Sequence, residues 1–334
     1  MTHLSKVLDW GSDFDYSALS RNKSLTWEYV LSHPELPWDW SSLSGNSCVT
    51  WETVLECPEK PWNYFYLSQN ENITPEIIEE FPDRRWSFKQ LSTNKSMRMS
   101  FVLKHIDEDW DWHWLSSNPG ICMSDVEDHP ELPWNYTGVS FNPNLTWKFV
   151  QDHPDKPFNK IGVSMSKCVT WEIVQNHSEF PWEYTGLSAN PNMTMKIVKE
   201  HIDLPWNWAW LSGNESLSFR DVKENIEMPW NWASLSMNAS IDWETEILPN
   251  LDEYPWQWGA LSRHPGLTLE IIQRLEDRPW NWRMMSSNPF DRQLENREDE
   301  DDNLNEEIVE EKKNRMSYIL LGLIALMLLI QLLK

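Results

Sequence analysis

Leu25-Thr26-Trp27-Glu28-Tyr29-Val30, then His33-Pro34, then Pro37-Trp38-Asp39-Trp40, then Leu43-Ser44-Gly45-Asn46: this stretch is a unit that the chain writes again and again. Its Leu-Ser-x-Asn ending returns every 24 residues, at Leu19, Leu43, Leu67, Leu91 and Leu115. It keeps register through Leu211 and Leu235, gains two residues and resumes at Leu261. A fixed period of this size marks a repeat array, in which each unit buries its apolar face only against its neighbours. About eleven units fill residues 1–290.

Inside the unit, Thr26 is placed to cap a helix by accepting from orphan backbone N–H groups, and Glu28 suits the positive end of the helix dipole. The residue before the cap is apolar in every unit (Leu25, Val49, Ile73, Met97), and the residue four past it is Val or Ile in ten of eleven. That pairing is a hydrophobic staple. Thr74-Pro75-Glu76 adds Pro at the first helical position. Arg98 and Cys122 stand where the cap should be, and Ser100 and Ser124 are the expected substitutes.

The first helix should end at His33-Pro34, because Pro turns its predecessor away from helix. A second short helix is expected from Pro37-Trp38-Asp39-Trp40 to Leu43-Ser44, with Asn46 in a left-handed C-terminal cap. Helices this short cannot stand alone in water. The expected fold is therefore all-α: an α-solenoid of about eleven 24-residue, two-short-helix repeats, stacked as a curved rod on the order of 100 Å long. A leucine-rich repeat competes, since Leu-Ser-x-Asn-x-x-Leu echoes its asparagine ladder, but the alternating Leu-x-Leu strand is missing.

The chain holds 24 tryptophans. Ten of eleven units have Trp at the Trp38 position, with Phe158 the exception. Rings that bury about 150–250 Å² each give so small a unit its core. Trp114 and Trp210 differ: they stand where the repeat otherwise favours small residues (Ala18, Ser42, Gly138, Gly186), so both are candidate partner contacts.

No catalytic constellation emerges. Six of nine histidines share one repeat position (His33, His105, His129, His153, His177, His201), but equivalent side chains are a whole repeat apart, too far to share a metal with bonds of about 2 Å. No phosphate-binding loop, nucleophile elbow or His-Glu-x-x-His occurs. Cys48, Cys57, Cys122 and Cys168 lack metal-site or disulfide-framework spacing. No enzyme, cofactor or metal is expected.

Formal net charge is −24. The segment 291–311 carries −9, and setting aside the four basic residues beyond it leaves −19 on residues 1–290. So negative a surface argues against nucleic acid as a partner. Residues 291–316 read as an acidic, disordered linker with a basic flank. The apolar run 317–333 is long enough for a short transmembrane helix. Lys312, Lys313 and Arg315 before it predict that the array stays cytosolic. The expected topology is a single-pass tail anchor, short enough for a thin membrane such as the endoplasmic reticulum.

Taken together, Leu-Ser-x-Asn-x-x-Leu-Thr-Trp-Glu-x-Val followed by His-Pro-x-x-Pro-Trp-Asn-Trp resembles the tryptophan-rich tandem repeats of giant nucleocytoplasmic DNA viruses, the mimivirus-like group. The resemblance spans residues 19 to about 290 and implies a viral origin, not a mechanism. The residues point first to a non-enzymatic scaffold that binds a protein at an intracellular or viral membrane. A structural protein of the particle membrane and an aromatic glycan binder are the alternatives.

Overall fold

The structure, a computed structural model, describes residues 15–288 apart from Ser24 and Ser287. Among the described residues there are only helices, turns and loops. Helices of four to six residues alternate in two kinds. One kind runs from Tyr16–Ser20 and Trp40–Ser44 to Trp282–Met285, and the other from Trp27–Ser32 and Trp51–Glu56 to Leu269–Arg274. Counting a unit from the cap of each helix of the first kind, Asp15 opens unit 1, Asp39 unit 2 and Asn281 unit 12. Twelve helices of the first kind and eleven of the second are described, so the eleven two-helix repeats read from the sequence are followed by the opening helix of a twelfth unit.

The helix starts follow the sequence logic. Thr26, Thr50, Thr146 and Thr170 each accept from the backbone N–H three residues on. The staple residues Val49, Ile73, Met97 and Ile121 are buried, as are Val54, Ile78, Val102 and Val126. Two expectations need correction. At Arg98 the expected substitute Ser100 makes no capping hydrogen bond, and Arg98 itself gives none. At Cys122 the capping group is Asp125, whose carboxylate accepts from the Cys122 N–H at 2.7 Å, and not Ser124. The other helix of each unit is also shorter than expected: it begins after Asp39, not at Pro37, with the Asp39 carboxylate accepting from the Ser41 and Ser42 N–H groups.

The two-residue insertion is absorbed locally. Glu246 stands four past the cap Asp242, where other units have Val or Ile. There the chain forms a π-helix, Trp243–Ile247, in which the Ile247 N–H donates to the Asp242 carbonyl at 2.9 Å. The wider turn carries Ile247 into the fully buried position.

Aromatic rings tie the layers. Trp38 and its equivalents close the Val30-bearing helix of their unit: the Trp38 Nε1–H donates to the His33 carbonyl at 2.9 Å, Trp134 to His129 at 2.8 Å and Trp280 to Leu275 at 2.9 Å. Most of these indoles also meet edge-on the aromatic that opens their own unit, as in Trp40–Trp62, Trp112–Trp134, Trp208–Trp230 and Trp258–Trp280, with centroids 4.9–5.4 Å apart. Edge-to-face pairs of this kind contribute about 0.5–1.5 kcal/mol each beyond area burial. Where Lys160 replaces the aromatic, its ammonium lies 4.6 Å over the Phe180 ring instead.

Asn46 and its equivalents do more than end a helix. Asn70 has φ −67° and Asn190 φ −73°, so neither is the left-handed cap expected from sequence. Instead the Asn46 side-chain amide donates to the carbonyls of Ser20 (3.0 Å) and Asn22 (2.8 Å) in the unit before, and Asn70 donates to Ser44 and Asn46. A second ladder runs beside it. The Asp39 N–H donates to Ser20 Oγ, the Asn63 N–H to Ser44 Oγ and the Asn207 N–H to Ser188 Oγ, while Ser44 and Ser188 donate back to the Trp40 and Tyr184 carbonyls of their own helices.

Both ladders are circular. In unit 1 the Asn22 amide donates to the carbonyls of Ser286 (3.2 Å) and Asn288 (2.9 Å), and the Asp15 N–H donates to Ser286 Oγ at 3.2 Å. The serine bond is the one every other unit makes to its predecessor, and the amide bonds are those of every ladder asparagine, here made by the first unit to the twelfth. Residues 15–288 thus close into a twelve-membered ring, and the expected open rod is corrected. The segments 291–316 and 317–333 lie outside the described residues. Among those described, no helix is long and apolar enough to cross a membrane.

Candidate binding surface on the inner face of the ring

In a closed ring, the distance between neighbouring equivalent atoms grows with radius, so the more tightly spaced row is the inner one. Cα atoms of successive helices of the Trp40–Ser44 kind approach within 8 Å, as between Trp112–Ser116 and Tyr136–Ser140. The contact is backbone-close: a Cβ built on Gly138 would sit 2.3 Å from the His113 carbonyl oxygen. Successive helices of the Trp27–Ser32 kind make no such close row. The Trp40-type helices therefore line the hole and the Trp27-type helices form the rim.

Helical geometry decides which side chains face the hole. On Trp40–Ser44, Trp40, Leu43 and Ser44 point together toward the rim helices, where Trp40 meets Trp27 and Leu43 is fully buried. Residues 41, 42 and 45 fall on the opposite side of the wheel. In the twelve units, none of the residues at these three positions is Asp or Glu. They include Arg21, Lys89, Arg263 and Arg283, in a chain of net charge −24. The acidic caps Asp15, Asp39, Asp111 and Glu183 border this face; the three aspartates accept from their own helix N–H groups, and Glu183 is exposed with no such bond.

The candidate residues both lie on this face. Trp114 is 53% and Trp210 51% exposed, and every other described tryptophan is buried or half-buried. Phe65, Tyr66, Phe141, Ile161 and Met237 share the face and are also exposed. The position held by Trp114 and Trp210 abuts the preceding inner helix, so small residues pack into that contact while an indole must project past it. That steric rule is why the two stood out in the sequence. The remaining face residues were missed because nothing in one unit says which side of a helix meets a hole.

The histidines shared by one repeat position are helix ends, as their dipole preference suggested: His33, His129 and His177 follow the last helical residue. Among the described residues, no group of three His, Cys, Asp or Glu side chains could hold a metal ion. A cavity of about 10 Å³ between Met193, Leu211, Leu217 and Trp230 has no titratable side chain in its lining. Burial pushes the Cys48 thiol up to about 12, so it is a packing group rather than a nucleophile.

His264 is a further departure. It holds the asparagine position in unit 11 and does the same work: Gly266 N–H donates to its Nδ1 at 2.9 Å, and its Nε2–H donates to the Asn238 carbonyl at 2.9 Å. Burial lowers its pKa to about 4, against the pull of the Asn238 and Ile241 carbonyls, so it is neutral at pH 7.

No family model, no curated protein and no solved structure matches the chain. The inner face is therefore read from its own geometry.

Proposed function

We propose that the ring is a non-enzymatic scaffold that holds a protein partner on its inner face. The observation that carries this reading is the placement of the two exposed indoles, Trp114 and Trp210, on the face turned to the hole, while every other described indole is used in packing. Exposed large aromatics are the side chains that most often anchor a partner. The repeat spends its hydrogen bonds and rings on stacking, and on this face side-chain size varies widely from unit to unit, from Gly138 to Trp114.

The apolar run 317–333 and the basic residues before it support a membrane location, with the ring in the cytosol. The resemblance to giant-virus repeats supports a host or virion-internal membrane. Crosslinking pull-downs from expressing cells test the scaffold. The wild-type chain is expected to retain a partner that the W114A/W210A variant releases, and equal recovery by both would defeat the reading. Comparing the full chain with one truncated before Ser317 tests the anchor, and identical distribution would remove it.

A further inference from the structure

The partner's chemistry can be taken further, on the premise that the inner face is the binding surface. Unit 5 carries Trp114 and unit 9 carries Trp210. Unit 1 carries Arg21, with Arg283 and Arg263 in the two units before it around the circle. Units 1, 5 and 9 of twelve are evenly spaced, a third of the circumference apart. Two indoles and an arginine cluster thus face one another across the hole from three sides.

The hole is the right width for a polypeptide. Twelve helices in contact at about 8–10 Å place their axes on a circle about 30–38 Å across. Helix bodies of about 10 Å leave an opening about 20–28 Å wide before the large side chains are added. An indole projecting from two sides narrows this to about the width of a single helix with its side chains.

Charge selects the occupant. Arg21 donates to the Ser17 hydroxyl at 3.0 Å, Arg283 lies 3.7 Å from Asp15, and no carboxylate among the described residues pairs with Arg263. Across units 11, 12 and 1 the inner face thus carries three arginines against one cap carboxylate, Asp15, inside a strongly acidic protein. A polyanion would be repelled by the exterior along its whole length, whereas a peptide with a few carboxylates among apolar side chains gains from both the guanidinium groups and the indoles.

We infer that the ring takes an acidic polypeptide segment with large apolar side chains through its hole, with the apolar groups on Trp114 and Trp210 and the carboxylates toward Arg21, Arg263 and Arg283. The test immobilises the full chain and selects from a display library of random peptides about 16 residues long, about 24 Å if helical. W114A/W210A and R21S/R263S serve as counter-targets. Both variants install residues that the repeat already carries at those positions (Ala18, Ser117), so folding is expected to survive, and an unchanged melting temperature verifies it.

Enriched sequences of net negative charge with several large apolar residues, weakened at least about tenfold by each variant, support the inference. Neutral or basic sequences weakened by W114A/W210A alone overturn the charge assignment and leave the inner-face scaffold standing. Retention indifferent to both variants removes inference and scaffold together. Saturable binding of an oligothymidylate strand, lost in R21S/R263S, overturns the inference in favour of nucleic acid.

Discussion

At the scale of single residues, the ladder asparagines do what a left-handed cap could not. Asn94 is fully buried and its amide donates to the carbonyls of Ser68, Asn70 and Ile73, while its oxygen accepts from the Ser96 N–H. Replacing it with Ala orphans several buried backbone groups, so N94A is expected to lose about 2–4 kcal/mol in urea unfolding. His264 makes the ladder sensitive to acid. Its folded pKa, about 4, lies below the ordinary 6.5. The unfolded chain therefore takes up the proton first, and the stability it contributes is complete above pH 6.5 and lost as pH falls toward 4. Protonation at Nδ1 would aim a proton at the Gly266 N–H. Unfolding at pH 4 against pH 7.5 is expected to show a loss of about 3 kcal/mol from this group, and H264N is expected to abolish that share.

Between neighbouring helices, the inner row sets the tolerance. Gly138 has no Cβ because the His113 carbonyl occupies the space, and backbone cannot swing aside as a side chain can. G138A is expected to destabilise by about 1–3 kcal/mol despite the better helix propensity of Ala, as read by the shift in thermal midpoint. Unit 7 offers the reverse experiment. Ser166 stands in the ladder position and its hydroxyl turns to Cys168, with no amide to reach the carbonyls of unit 6. S166N supplies two donors to a site already shaped for them and is expected to add about 1–2 kcal/mol. Loss of stability in S166N would mean that unit 7 has packed around the smaller side chain.

For the molecule as a whole, closure is the decisive property. The bonds of Asn22 and Asp15 to Ser286 and Asn288 join ends 264 to 271 residues apart in sequence. Spin labels at Ser17 and Arg283, equivalent positions in adjoining units, are expected to lie within about 20 Å, where the open rod would separate them by about 100 Å. A broad, long distance in dipolar spectroscopy would disprove the ring. Closure also gives the chain two surfaces of different character, a rim rich in carboxylates and an inner face without them at its lining positions. A one-dimensional stack has no such inside.

The sequence by itself determined the unit. Capping threonines, the apolar pair around them, the proline stop and the buried Pro-Trp indole are interactions within one repeat or with the next, and 24 residues contain all of them. It also singled out Trp114 and Trp210, because a large ring where neighbours are small breaks a local packing rule. The asparagine was misread because Asn does favour left-handed caps. The signal against that reading was present: Gly, the better left-handed residue, never occupies the position in twelve units, whereas His can replace it by copying its donor and acceptor. Closure was beyond the sequence. It depends on a rotation of about 30° per unit summed over the whole circle, and an error of a few degrees in each step yields an open spiral. That angle is set by how closely the inner helices approach across contacts such as Gly138 to His113, a tertiary quantity that no single repeat encodes.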